Sequence, residues 1–287
     1  MDNSKIVLGT VQLGLNYGIS NTAGITTSEE AVKIFSVAKE NNINFIDTAI
    51  NYGDSENIIG TTSGFNIITK IPMIPKKIND NEIEIWINNE ISQSLKRLKT
   101  NKLYGVLLHF PEQLFDRNGR KIFEVLIKLK KNNQSEKIGI SAYSTKVVKA
   151  IVNRYEIDIV QLPFNIINQE LLRSSVLSTI KNRNIELHVR SIFLQGLLLI
   201  SKENFPQKFS KWSYIFDNWY KWLIDEKISA LNACLSFVDS FNDINKVIIG
   251  INNSKQLVQI LKSDTKKNLK FPKIHCSDKK LINPSFW

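Results

Sequence analysis

Short runs rich in β-branched and aliphatic residues alternate along this chain with longer stretches whose apolar positions recur every three or four residues. The runs KIVLGT, INFIDTA, NIITK, YGVLLH, KIGIS, IDIVQL, IELHVRS and KVIIG predict eight strands. Between them, 28–40 opens with Ser28 and Glu29 and sets Ala31, Ile34, Phe35 and Ala38 on one face, while 82–98 repeats Ile83, Ile87, Ile91, Leu95 and Leu98 at helical spacing. Further helices are predicted near 119–131, 145–154, 168–183 and 254–262. The alternation fits an α/β fold, either a single-domain (β/α)8 TIM barrel over 1–287 or a doubly wound open sheet.

The polar residues separate these two architectures. Asp47, Lys70, His109, Ser141, Gln161, Arg190 and Gly250 each stand at or just past the C-terminal end of a different apolar run. In a barrel those ends converge on one mouth, whereas in an open sheet they spread along an edge. No Gly-x-Gly-x-x-Gly follows a strand, so the barrel is the expected fold. The aromatic-rich segment 201–224 is expected to form a loop or helical insertion over the mouth, and 264–287 a C-terminal tail. Trp212, Trp219 and Trp222, three and seven positions apart, read as a packed helix face rather than a sugar platform.

Composition narrows the function. The 43% of hydrophobic residues is enough for a large core. The net charge of +11 comes from basic residues spread along the chain, and the clusters PKKIND, KLKKNNQ and DTKKNL hold no interleaved aromatics, which argues against a nucleic-acid partner. A basic surface favours anionic small molecules instead. Cys234 and Cys276 lie far apart without a Cys-x-x-Cys or Cys/His pattern, so no disulfide framework or metal site is expected and a reducing cytoplasm fits. The start, MDNSKIVLGT, lacks the features of a signal peptide, and the longest apolar run, SIFLQGLLLI, is short and contains Gln195 and Gly196, so no membrane association is expected.

The stretch NFIDTAINYGDSENIIG passes abruptly from strand residues to Asp47 and Tyr52. GDSE is a helix start in which Asp54 or Ser55 is expected to accept a bond from a free backbone N–H, but that leaves Asp47 and Tyr52 unexplained. Taken singly, Asp47, Tyr52, Lys70 and His109 each have an ordinary turn, loop or surface reading. Gathered at one mouth, they suit the reduction of a carbonyl. Hydride arriving at carbon puts negative charge on oxygen, which needs stabilisation and a positioned acid. Tyr52 would be that acid, Lys70 would lower its pKa, Asp47 would hold Lys70 charged and oriented, and His109 would orient the carbonyl. His188, His275 and both cysteines take structural readings.

FIDTAINYGDSE, ITKIP and GVLLHFPE, in that order, resemble the Asp-Tyr-Lys-His tetrad of the aldo-keto reductase superfamily. The resemblance spans nearly the whole chain and implies an NAD(P)-dependent oxidoreductase using NADP(H) or NAD(H) on a small-molecule carbonyl, as a monomer or small homo-oligomer. It places Gly9 and Thr10 of LGTVQLG at the cofactor, Ser141 and Gln161 on the nicotinamide carboxamide, Ser191, Gln195 and Gly196 at the pyrophosphate, and Gly250, Asn252, Ser254 and Gln256 at the adenosine end. The chain departs from the pattern at Ala142, at Ile260, and at Arg190, where many members stack an aromatic ring on the nicotinamide; the resemblance implies that Arg190 binds the cofactor there, its guanidinium replacing the ring by stacking or by an ion pair with phosphate or substrate. Lys255 is the nearest candidate cation for a 2′-phosphate. The chain also resembles the bacterial branch associated with surface-polysaccharide genes, including the terminal INPSFW, which implies carbohydrate metabolism and a keto-sugar or sugar-nucleotide substrate. Two other functions use the same barrel: a Schiff-base aldolase with Lys70 as nucleophile, and a nicotinamide-binding regulatory barrel with little turnover.

Overall fold

The structure, a computed structural model, describes all 287 residues. The eight β-rich runs form parallel strands β1 (Ile6–Gly9), β2 (Phe45–Asp47), β3 (Asn66–Ile71), β4 (Leu103–Leu108), β5 (Ser135–Ser141), β6 (Ile159–Pro163), β7 (Glu186–Arg190) and β8 (Lys246–Gly250). They pair in chain order, and β1 also pairs with β8, so the sheet closes into a (β/α)8 TIM barrel.

Strand alternation separates inside from outside. On β3, Ile67 and Ile71 join the core packed between strands and helices, whereas Ile68 packs inside the barrel with Leu107 and Ile159, and Lys70 points the same way. The interior changes character along the barrel axis. At the N-terminal end Tyr104 donates to Glu186 at 2.7 Å, Lys137 pairs with the same carboxylate, and the fully buried His188 meets it at 3.0 Å, a structural place for that histidine. Above this lies the apolar layer of Ile68, Leu107 and Ile159, and above that, at the C-terminal mouth, lie Asp47, Lys70, Ser141 and Gln161. A one-residue slip of β2 or β3 would turn Asp47 or Lys70 outward, so burial of the outer face fixes the site's register.

The helices are α1 (Val11–Gly14), α2 (Ser28–Glu40), α3 (Ser55–Ile59), α4 (Asp80–Leu98), α5 (Gly119–Lys131), α6 (Thr145–Val152), α7 (Val176–Asn182), α8 (Ser213–Asp225), α9 (Ala230–Asp239), α10 (Ser254–Leu261) and α11 (Lys279–Ile282). Helix α4 begins two residues before the expected 82 because Asn79 and Glu82 form a reciprocal cap. The helix expected over 168–183 is broken. Buried Asn165 accepts from the backbone N–H groups of Ile167 and Asn168, a short 3-10 turn follows at Glu170–Arg173, and only Val176–Asn182 is α-helical. Helix α9 was not expected. It buries Ala233 through Val238 without interruption, so it carries no apolar stripe to detect.

Between β7 and β8, residues 201–224 contain two 3-10 turns and most of α8. Trp219 is fully buried, stacks on Trp222 with centroids 5.5 Å apart, and donates to Leu198 O. The final segment is tied back through Cys276 N to Ile167 O (2.9 Å), Lys279 to Glu170 (2.7 Å) and Trp212 Nε1 to Asp278 (3.2 Å). No helix is long and apolar enough to cross a membrane.

Candidate active site

The loop carrying Tyr52 is held by backbone contact. Gly53 has φ +54, and a Cβ there would lie 2.5 Å from Gly14 O, while a Cβ on Gly14 would meet Tyr52 O at 1.7 Å. Only two glycines let α1 and this loop pass so closely. Ser55 does not cap α3 as the sequence implied: it is buried, and its hydroxyl bonds to Thr10 O at 3.1 Å. Asp54 takes the Asn57 side chain at 2.6 Å and makes no cap bond to the backbone. Glu56, 1% exposed, accepts from Thr69 (2.7 Å), Ser94 (2.6 Å) and Arg97 (2.8 Å), tying α3 to β3 and α4. The loop bearing Tyr52 is thereby fixed relative to the strand bearing Lys70.

Around Asp47 the polar side chains form a connected set. Lys70 Nζ donates to Asp47 Oδ1 at 2.5 Å and to Thr48 O at 2.8 Å. Gln161 Nε2 donates to Asp47 Oδ2 at 2.7 Å, and Ser141 Oγ donates to Gln161 Oε1 at 2.9 Å. Both ends of the Gln161 amide are therefore engaged inside the protein. Lys70 Nζ lies 5.2 Å from the centre of the Tyr52 ring, and the His109 imidazole stands edge-on to that ring at 5.9 Å. His109 Nδ1 is buried without a hydrogen-bond partner.

The charges act on one another in a way the sequence did not reveal. Burial, and next the Asp47 carboxylate, push the Tyr52 phenol above its ordinary pKa, and the cation that pulls it down is Arg190. Lys70, expected to lower the Tyr52 pKa, has its ammonium paired with Asp47 at 2.5 Å. Burial lowers the Lys70 pKa and the Asp47 charge opposes it. His109 is held down to about 3, chiefly by burial and then by Lys70 and Arg190, so the ring is neutral.

These groups open into a cavity of about 490 Å³, within the usual range for ligand sites. Asp47, Tyr52, His109, Gly9, Thr10, Ser141, Gln161, Arg190, Ser191, Gln195, Gly196, Gly250, Asn252 and Gln256 all line it. Lys70 and Ser254 lie outside the wall, Lys70 behind Asp47 and Tyr52, and Ser254 donating its N–H (2.7 Å) and hydroxyl (2.6 Å) to Glu30 Oε1. Those bonds hold the Glu30 carboxyl down to about 2. Lys255, the nearest candidate cation for a 2′-phosphate, is exposed and lies outside the cavity wall. Sequence reasoning missed Gln12, Tyr17, Tyr143 and the start of α9 at Ala230–Leu231 as lining residues. Tyr143, two places after Ser141 at a strand end, was the one with a usable signal.

The wall suits an extended dinucleotide. It runs from the Tyr52 end to α10, where the buried acceptors Gln12 Oε1 and Asn252 Oδ1 have no protein partner. Between the two ends, Ser191, Leu194, Gln195 and Gly196 all have positive φ, and a Cβ at Gly196 would lie 1.9 Å from Ser20 Oγ. Such a turn can direct backbone N–H groups at an anion.

Residues 5–272 match the model of the Aldo/keto reductase family. Among solved structures, the holo form of an aldo-keto reductase from Bacillus halodurans aligns over 92% of this chain and 88% of its own, with 18% identity and a TM-score of 0.71. A glycerol dehydrogenase from Gluconobacter oxydans aligns over the same shares with 18% identity and a TM-score of 0.69. At such identities the likeness bears on the fold alone. No curated protein matches the chain.

Proposed function

The chain belongs to the aldo/keto reductase family and is an NAD(P)-dependent oxidoreductase, and from that premise we propose that it reduces an aldehyde or ketone with Tyr52 as proton donor and Asp47, Lys70 and His109 as its supporting groups. The observation that carries this reading is the connected set at the mouth: Lys70 on Asp47 at 2.5 Å, its ammonium 5.2 Å from the Tyr52 ring, and His109 against the same ring.

A bound reduced nicotinamide supplies the hydride. Tyr52, kept protonated by burial, gives its proton to the carbonyl oxygen as charge develops there, and the nearby cations then stabilise the phenolate. Neutral His109 orients the carbonyl by hydrogen bonding rather than by charge. Asp47 holds Lys70 in place, and Gln161 and Ser141 hold Asp47. Lys70, 1% exposed and ion-paired, presents no free amine to a carbonyl, so the Schiff-base reading has no support.

Gly9, Thr10, the 191–196 turn, Gly250, Asn252 and Gln256 would hold the dinucleotide. The reading assigns only a weak preference between NADPH and NADH, since no cation lines the α10 end and Glu30 occupies the donors of Ser254. A cytoplasmic enzyme acting on a keto-sugar or sugar nucleotide agrees with the two free cysteines and the polar mouth. The test is to supply NADH or NADPH deuterated at the reactive carbon together with a panel of aldehydes, ketones and keto-sugars. Deuterium should appear on the product carbinol carbon. Tight cofactor binding with no transfer to any member would overturn the proposal.

A further inference from the structure

Arg190 ends β7 at the mouth, and its charge is unbalanced there. Among the residues lining the cavity it is the one cation, and Asp47 is the one acid. Asp47 is already matched by Lys70 at 2.5 Å, so that pair cancels and the charge of Arg190 remains. The guanidinium lies 4.2 Å over the Tyr143 ring and makes a single hydrogen bond, from Nη2 to Ala142 O at 3.2 Å. It has no carboxylate partner, whereas Arg97 pairs with Glu56 at 2.7 Å. A guanidinium has five N–H donors, so most of those on Arg190 have no protein acceptor. Arg190 is half-buried and lines the cavity, so those donors are available to an anion that binds there. Its field lowers the pKa values of Tyr52, Lys70 and His109, which places it at the reacting end.

Resting on the reductase reading, we propose that Arg190 selects substrates that carry an anionic group, a carboxylate or a phosphate, beside the reactive carbonyl. The guanidinium accepts such a group in two-point fashion, and the stacked Tyr143 ring holds its plane. The aldehyde or ketone is thereby turned toward Tyr52 and His109. The cofactor's pyrophosphate offers the same chemistry, and the experiment separates the two sources.

Purified protein and the Arg190→Gln and Arg190→Lys variants are assayed on two matched pairs, butanal against succinic semialdehyde and glyceraldehyde against its phosphorylated form. NADH affinity is measured in parallel by quenching of tryptophan fluorescence. The wild type should favour the anionic member of each pair in kcat/KM by at least about tenfold. Arg190→Gln should reduce that ratio by about thirtyfold, mainly through KM, with Arg190→Lys intermediate and NADH affinity changed by less than about threefold. An unchanged ratio in Arg190→Gln overturns the proposal. So does NADH binding weakened about tenfold with the ratio intact, which would assign the cation to the cofactor's phosphates. If the wild type oxidises neither NADH nor NADPH with these four aldehydes or with the wider carbonyl panel, the reductase reading itself fails. Calorimetric titration of glycerol phosphate against glycerol then decides the anion site alone: binding of the phosphate lost in Arg190→Gln supports it, and no binding to the wild type overturns it.

Discussion

Replacing Asp47 with Asn keeps its shape and removes its charge, which makes it the sharpest probe of the buried pair. Asp47 is 4% exposed and Lys70 1%, and the carboxylate accepts from Lys70 at 2.5 Å and Gln161 at 2.7 Å. An amide has one oxygen, so in Asp47→Asn one of those donors faces an NH2 group. Breaking a buried ion pair from one side costs about 3–5 kcal/mol, which for a chain of this size lowers Tm by about 6–10 °C. Lys70→Met should show that full loss, since Asp47 then keeps its charge with Gln161 alone. Asp47→Asn should lose less, because Lys70, its pKa already lowered by burial, sheds its proton. The unfolded state then holds a proton that the folded state lacks, so the stability of Asp47→Asn rises with pH toward the ordinary lysine range. With both charges gone, the double variant should recover at least about 2 kcal/mol relative to the sum of the singles. Urea unfolding without cofactor, followed by circular dichroism, measures all three. Single losses below about 1 kcal/mol, or strict additivity, would refute the pairing argument.

The pH profile of reduction is a second test: with Tyr52 protonated and His109 neutral, kcat/KM should be level from about pH 6 to 9 and fall only above the ordinary tyrosine range, whereas an inflection near the normal histidine pKa would contradict the depressed His109. In cofactor titrations, Glu30→Gln should raise NADPH affinity relative to NADH by about threefold to tenfold by freeing Ser254. Lys255→Ala should leave the ratio within about twofold, and a collapse of NADPH binding there would place the 2′-phosphate on Lys255 after all.

Much of this was legible in the chain because strand periodicity and the polar residue closing each run are local signals. Asp47, Lys70, Ser141 and Gln161 are assigned to the mouth by sequence alone, since a barrel gathers all strand ends. Other features depend on contacts that sequence spacing does not encode. Helix α9 is buried over too much of its surface to show a stripe, and Asn165 breaks a helix through side-chain bonds that a hydrophobic pattern ignores. Arg190, which pulls the Tyr52 pKa down, stands 138 positions later in the chain, a separation over which sequence spacing carries no electrostatic signal.

The central claim, that Tyr52 supplies the proton in carbonyl reduction, is tested most directly by single-turnover oxidation of bound NADH in Tyr52→Phe. The account predicts NADH affinity within about threefold of wild type and a hydride-transfer rate lower by about a hundredfold or more, since the ring's packing remains and only the acid is lost. Full-rate transfer to the same carbonyl by the Tyr52→Phe protein would contradict it.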